Sequence, residues 1–388
     1  IENNGAIVAD EIGVDVEAFE IDIVNTETGV ILAGEDGIFA DNQGALTDFD
    51  FDPEALSQQV DAFLSRGELL SINIANDGEI EAAEQGVNVN ASISNVVVAN
   101  SGSIVSEFNG IDVGGRDSNV SITNSGTIVS QEEGIELDFE FDFSSETDAV
   151  ALALGGEFAD AGFDLQALAD AGVFEDKELN ITNQSGGVIN AVDTGINVEF
   201  TYEFDDLLVN PENPELVAFL DGDLPQVSIN VVNEEDATIA ITEQFDNSFG
   251  IEVSGLRRFD IEGVDPSDVP VSVNVENAGD ISLTTEAGAG IVVSSVNTTS
   301  INSGSVTVNG NASEGIELQD GLNSSIHNSG VIQVNAGQGG ASANAIQASF
   351  GSNLSIVNSG ELSSNGFFSS SILSVSYTHL TLPTSLAV

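Results

Sequence analysis

Apolar and polar residues alternate along most of this chain in short bursts, as in Val120-Ser-Ile122 and Ile229-Asn-Val231. A period of two sends every second side chain to the same face, which is strand periodicity. One phrase punctuates the bursts: apolar-x-Asn-x-Gly-x-Ile/Val, as in Ile122-Thr-Asn-Ser-Gly-Thr-Ile128 and Ile326-His-Asn-Ser-Gly-Val-Ile332. Its glycine falls at 5, 29, 78, 102, 126, 186, 279, 304, 330 and 360, with a degenerate copy over 233–239. Uninterrupted copies lie 24 to 30 residues apart. A second phrase, Gly-Ile/Val, follows most of them after 8 to 13 residues, at Gly37, Gly86, Gly110, Gly134, Gly195, Gly250, Gly290 and Gly315. Gly13-Val14 is its first copy, and Ala345-Ile346 occupies the same slot.

The Asn-x-Gly between two strands predicts a tight turn, because Asn and Gly tolerate positive φ. A coil of about 24 residues then holds two or three short strands, and one such coil cannot bury its own apolar face. Stacked coils bury Ile on Ile and let Asn side chains hydrogen-bond up the stack. The spacing predicts an all-β solenoid of eleven coils over residues 1–374, about 50 Å long at ~4.8 Å per rung. Ankyrin, TPR and HEAT repeats are helical at longer periods, and the leucine-rich pattern is missing.

With its Asn-Ser-Gly-x-Ile and Gly-Ile phrases, the chain resembles the parallel β-helix of bacterial autotransporter passengers and related surface adhesins. The resemblance covers residues 1–374. It implies a right-handed helix, display at the bacterial cell surface or secretion, and an outer-membrane β-barrel following the passenger. It also implies partners on a host or neighbouring cell surface, or glycans. The phrases encode stacking and are silent on activity.

Four spacings are too long, and each excess comes directly after the Gly-Ile strand, at about 41–70, 138–179, 199–226 and 254–270. These segments cover 117 residues and hold 31 of the 65 acids, 13 of the 21 Phe and four of the five cations. Insertions at one corner of a solenoid project from one side, often the binding side. The first three open with aromatic residues alternating with acid: Asp48-Phe-Asp-Phe-Asp52, Asp138-Phe-Glu-Phe-Asp-Phe143 and Val198-Glu-Phe-Thr-Tyr-Glu-Phe204. Capped helices are predicted after Asp52 and over 213–222, and a weaker one over 164–172. They read as small helix-containing excursions with their own Phe clusters.

Charge and composition narrow the chemistry. The formal net charge is −60, with no Cys and only five Lys and Arg. Nothing here neutralises a row of phosphates, so nucleic acid is excluded as a partner. Zinc fingers, iron–sulfur sites and thiol catalysis are excluded with the cysteines. No apolar run reaches membrane-spanning length. Yet 41% hydrophobic residues is too apolar for a disordered acidic tail.

Asp48, Asp50 and Asp52 match the first three ligand positions of an EF-hand loop. Pro53 then stands where the turn Gly belongs, and Gln59 where the bidentate Glu should be. A solvated strand face is the favoured reading, with weak calcium binding as its rival; no cofactor is expected otherwise. Polysaccharide lyases and pectin-type hydrolases need clustered cations or His beside their carboxylates. Here the only Lys, Lys177, falls in an insertion, as does the sole cationic pair, Arg257-Arg258, for which pairing with neighbouring acids is the simpler reading, and His327 flanks a turn. Asn-x-Ser/Thr triplets at Asn90, Asn119, Asn180 and Asn353 are what chance yields in so much Asn, Ser and Thr.

The expectation is a structural or adhesive passenger without catalysis. The alternative is a carbohydrate-active β-helix enzyme, a glycan hydrolase or lyase using carboxylates. Ile1 opens directly into a repeat, which predicts natural sequence upstream. Residues 375–388 break the composition, and Val375-Ser-Tyr-Thr-His-Leu-Thr-Leu-Pro-Thr384 resembles the translation of a sequencing-library adapter; that tail is expected to be non-native, with natural sequence continuing past 374.

Overall fold

The computed structural model describes residues 1–42, 69–142, 172, 175–203, 225–242, 246–255, 269–285, 287–319, 321–336, 342–349, 353–374 and 378–381. Residues 94–116 show one complete coil: strands Ser94–Asn100, Ser103–Ser106 and Ile111–Arg116. Each strand lies beside its counterpart in the next coil, and every pairing is parallel. Repeated, this makes three sheets of 12, 11 and 11 strands around one core. The chain is a right-handed parallel β-helix of about eleven coils. No helix occurs among the described residues. The twelfth strand of the first sheet is Thr378–Thr381, paired parallel to Leu354–Asn358.

The core is a set of vertical rows. Ile31, Ile80, Ile104, Ile128, Ile189 and Ile239 stack in register on the second sheet and are completely buried. Full burial of one such side chain contributes ~1.5–3 kcal/mol, which no coil could gain without a neighbour. One member of a row is polar. Ser300 sits between Val275 and Ile326 on the first sheet, fully buried, and its hydroxyl has no hydrogen-bond partner.

Three corners join the sheets, and each uses different physics. At the first corner, the last residue of each of the first eleven first-sheet strands is the phrase asparagine. Eleven of them, from Asn3 to Asn358, hydrogen-bond in sequence, each Nδ2 donating to the next Oδ1 at 2.7–2.8 Å. The turn glycine that follows departs from the positive-φ expectation. Gly102 lies outside the left-handed region, but a Cβ there would sit 2.0 Å from the carbonyl oxygen of Gly78 one coil below. The glycine is required by close approach of stacked backbones. Left-handed φ enters only where the turn is one residue longer: Gly186 at φ 83° and Asp236 at φ 64°. Gly187, not Gly186, therefore takes the stacking slot in that coil, since Val188 pairs with Thr127.

At the second corner stands the Gly-Ile phrase. A Cβ on Gly110 would meet Ile128 Cγ2 at 2.3 Å and the Gly134 carbonyl at 2.5 Å. The β-branched Ile of the next coil fills the space a side chain would need. Ala345 is tolerated in its slot above Gly315, where the second-sheet row has passed from Ile332 to Leu362, which is unbranched at Cβ.

At the third corner a single left-handed residue returns the chain to the first sheet: Ile93, Asp117, Asn297, Asn323 and Asn353, at φ 48° to 54°. The four long segments leave and re-enter along this same edge, after residues 42, 142, 203 and 255. Two of them begin as strand, because Ile135–Asp142 and Thr194–Glu203 run on past the corner and pair residue for residue. Their aromatic and acidic residues alternate with the strand period, but Phe139, Phe141, Phe200 and Tyr202 join the main core instead of the separate Phe clusters expected of the excursions. Gly255 leaves room for the Phe200 ring. The predicted helices after Asp52 and over 213–222, and residues 164–171 of the third, lie outside the described residues.

A candidate functional face

The acids of the solenoid body gather on the third sheet and on the corner preceding it. Outward side chains there flank the Gly-Ile phrase, one residue before the glycine and two residues after it. In the later position Asn88, Asp112, Glu136, Asn197 and Glu252 stand in register, one per coil. In-register neighbours on parallel strands are ~4.8 Å apart, so like charges are forced together.

Amides from adjacent coils relieve some of that repulsion. Asp36 accepts hydrogen bonds from the Gln85 backbone N–H at 3.1 Å and from Asn88 Nδ2 at 3.0 Å. Asn109 Nδ2 donates to Glu136, while Asn109 Oδ1 accepts from the Glu133 backbone N–H at 3.2 Å. Higher up, Asn344 Nδ2 donates to Gln347 Oε1 and Gln347 Nε2 to Glu317 Oε1, both at 2.8 Å.

Half-burial still favours the neutral acid. Loss of solvent pushes Asp112 up to about 6, opposed by its bond to Asn109 and reinforced by Asp36 and Asp138. Burial pushes Glu133 up to about 7, with Glu136 and Asp193 adding to it. Glu136 is pushed up to about 7 by burial and by Asp112. Glu314 follows to about 7, through burial and Glu317. Asp36 and Asp193 are also raised, chiefly by burial. A carboxyl protonated near neutral pH is the form a general acid needs.

The positive charges lie elsewhere. Arg116 pairs with Glu140 at 2.6 Å. Lys177 is completely buried at the third corner, where its Nζ donates to the carbonyls of Gly172 at 2.9 Å and Glu175 at 3.0 Å. Burial lowers its pKa to about 8, with Asp117 and Glu175 acting in the opposite sense. Lys177 thus pins the chain where it re-enters the first sheet, as the first residue of strand Lys177–Asn183. Tyr202 Oη donates to the Pro225 carbonyl at 3.0 Å beside the same edge. Neither described cation reaches the acidic row as a substrate clamp.

Of the residues singled out in the sequence, Asp48, Asp50 and Asp52 lie outside the described residues, as do Arg257 and Arg258. His327 is exposed on the outer side of the first sheet, away from the acids. Sequence reasoning passed over Glu133, Glu136, Glu314 and Glu317, although Glu-Gly-Ile-Glu occurs at both 133–136 and 314–317. The signal was the pair of polar flanks around a phrase already recognised for its stacking. Among the described residues no three His, Cys, Asp or Glu side chains form a metal-holding group by themselves. No known family, curated protein or solved structure matches the chain.

Proposed function

We propose that the chain is a rigid structural or adhesive passenger, secreted or displayed on a bacterial surface, and performs no catalysis. The observation that carries this reading is the disposition of charge on an uninterrupted stack. The Asn ladder ties all eleven coils into one rod, its acids gather on one side, and its described cations are committed to Glu140 and to backbone carbonyls. A rod of about 50 Å carrying segments along one edge suits holding a surface away from its anchor and presenting it. The test is adhesion: the purified chain, immobilised on beads, is challenged with cultured cells and an array of neutral and anionic glycans. Saturable binding that is lost when residues 204–224 are replaced by a short linker, leaving the core residues Phe200 and Tyr202 in place, supports the reading. No binding to any of these surfaces counts against the adhesive form.

The raised carboxyls favour one rival, a glycan hydrolase or lyase built on Asp112, Glu133 and Glu136. Release of reducing or unsaturated ends from a glycan panel, abolished in Glu136→Gln, would establish it.

A further inference from the structure

We propose that Glu133, Glu136 and the side-chain carbonyl of Asn197 form a binding site for a hard divalent cation of the calcium class, with Asp193 at its edge. Asn197 stands in strand Thr194–Glu203 between Ile196 and Val198, both fully buried in the core, so its own side chain projects from the opposite, acidic face. It is in register with Glu136 in the coil below and Glu252 in the coil above. Along its own strand the next side chain on that face is Glu199. Asn197 is nevertheless only 8% exposed, and its Oδ1 has no hydrogen-bond donor. An amide oxygen buried without a donor costs ~1–3 kcal/mol. The residues in register with it on the coils below and above, Glu136 and Glu252, are carboxylates, which supply no donor when ionised.

A cation answers both deficits at once. It accepts the orphaned oxygen as a ligand and offsets the repulsion among acids stacked in register on adjacent coils. The ligand set is all oxygen and includes two or three acids, which suits a hard ion; water would complete the six to eight ligands that Ca²⁺ takes. Two carboxylates without the amide would fall short of a site, and that separates this cluster from its sequence twin. The other Glu-Gly-Ile-Glu, 314–317, is closed by Asn344 and Gln347, and no acceptor is left over.

The experiment is a CaCl₂ titration of the full chain at pH 7.5, followed by thermal melting and calorimetry, with ionic strength held constant by NaCl. The expected result is one saturable equivalent with a Kd on the order of 10⁻⁴ to 10⁻³ M and a rise in Tm that NaCl does not reproduce. Glu136→Gln and Asn197→Leu should each weaken binding about tenfold or more, and Glu317→Gln should leave it unchanged. Asn197→Asp, which adds charge without removing an oxygen, should tighten binding; it decides the matter if either of the first two variants fails to fold. The proposal is overturned if calcium and ionic-strength-matched NaCl act alike, if Glu317→Gln weakens binding as much as Glu136→Gln, or if Asn197→Asp binds no better than the parent.

Discussion

Replacing Asn124 by Ala tests the central device of this fold. Asn124 is fully buried in the middle of the ladder; its Oδ1 accepts from Asn100 at 2.8 Å and its Nδ2 donates to Asn183 at 2.8 Å. The substitution strands two buried groups, Asn100 Nδ2 and Asn183 Oδ1. At ~1–3 kcal/mol for each orphan, the cost is about 2–6 kcal/mol. Asn358, at the last rung, is half-buried; it accepts from Asn328 and donates only within its own turn, to the Gly360 carbonyl at 3.2 Å, so Asn358→Ala should cost about 0.5–1.5 kcal/mol. Urea denaturation gives the overall loss. Since a stacked array can open locally, amide hydrogen exchange should accompany it, with protection falling first at Ser125, whose N–H donates to the Asn100 carbonyl, and at Gln184, whose N–H donates to the Asn124 carbonyl. Equal costs at the two positions, or a loss below about 1 kcal/mol at Asn124, would refute the reasoning that the interior rungs of the ladder hold the stack together.

Four other outcomes are expected. Ser300→Val should stabilise the chain by about 1–2 kcal/mol, because it removes a buried hydroxyl without a partner and restores an aliphatic row; chemical denaturation measures it. Gly315→Ala should destabilise by about 1–3 kcal/mol through overpacking against Ile332, and adding Ile332→Leu should recover part of the loss in the same assay. Asp112, Glu133, Glu136 and Glu314 bind protons more tightly folded than unfolded, so their contribution to stability falls as pH rises from about 4 to about 7; without calcium, Tm should be higher at pH 5 than at pH 8, and Glu136→Gln should flatten the profile. With a net charge of −60, added NaCl should raise Tm by screening self-repulsion, and a melting temperature indifferent to salt would contradict that.

Much of this was legible from local pattern. The phrase asparagines and the Gly-Ile glycines occupy the stacked positions their spacing predicts, because a β-solenoid repeats one local geometry and its sequence must repeat with it. What local pattern misread was cause. Gly102 looks like a turn glycine needing positive φ, and only the backbone of the coil below shows that the demand is steric. The site was less legible. Glu136 and Glu317 sit in identical tetrapeptides, yet one stands in register with an orphaned amide oxygen and the other belongs to a closed network, a difference supplied by Asn197, Asn344 and Gln347 on neighbouring coils.

The sequence alone determined the coil of short strands, the eleven-fold stack and the corner from which the long segments leave, since the repeat is written in the chain itself; that each coil holds three strands came from the structure. Only the tertiary structure decided which residues meet between coils. Asn124 bonds Asn183 across 59 residues and Asn25 bonds Asn76 across 51, spans over which local periodicity carries no information. The burial of Lys177, the lone hydroxyl of Ser300 and the crowded carboxyls of the third face are properties of such meetings. They follow from what lies ~4.8 Å above and below each residue, and not from its neighbours along the chain.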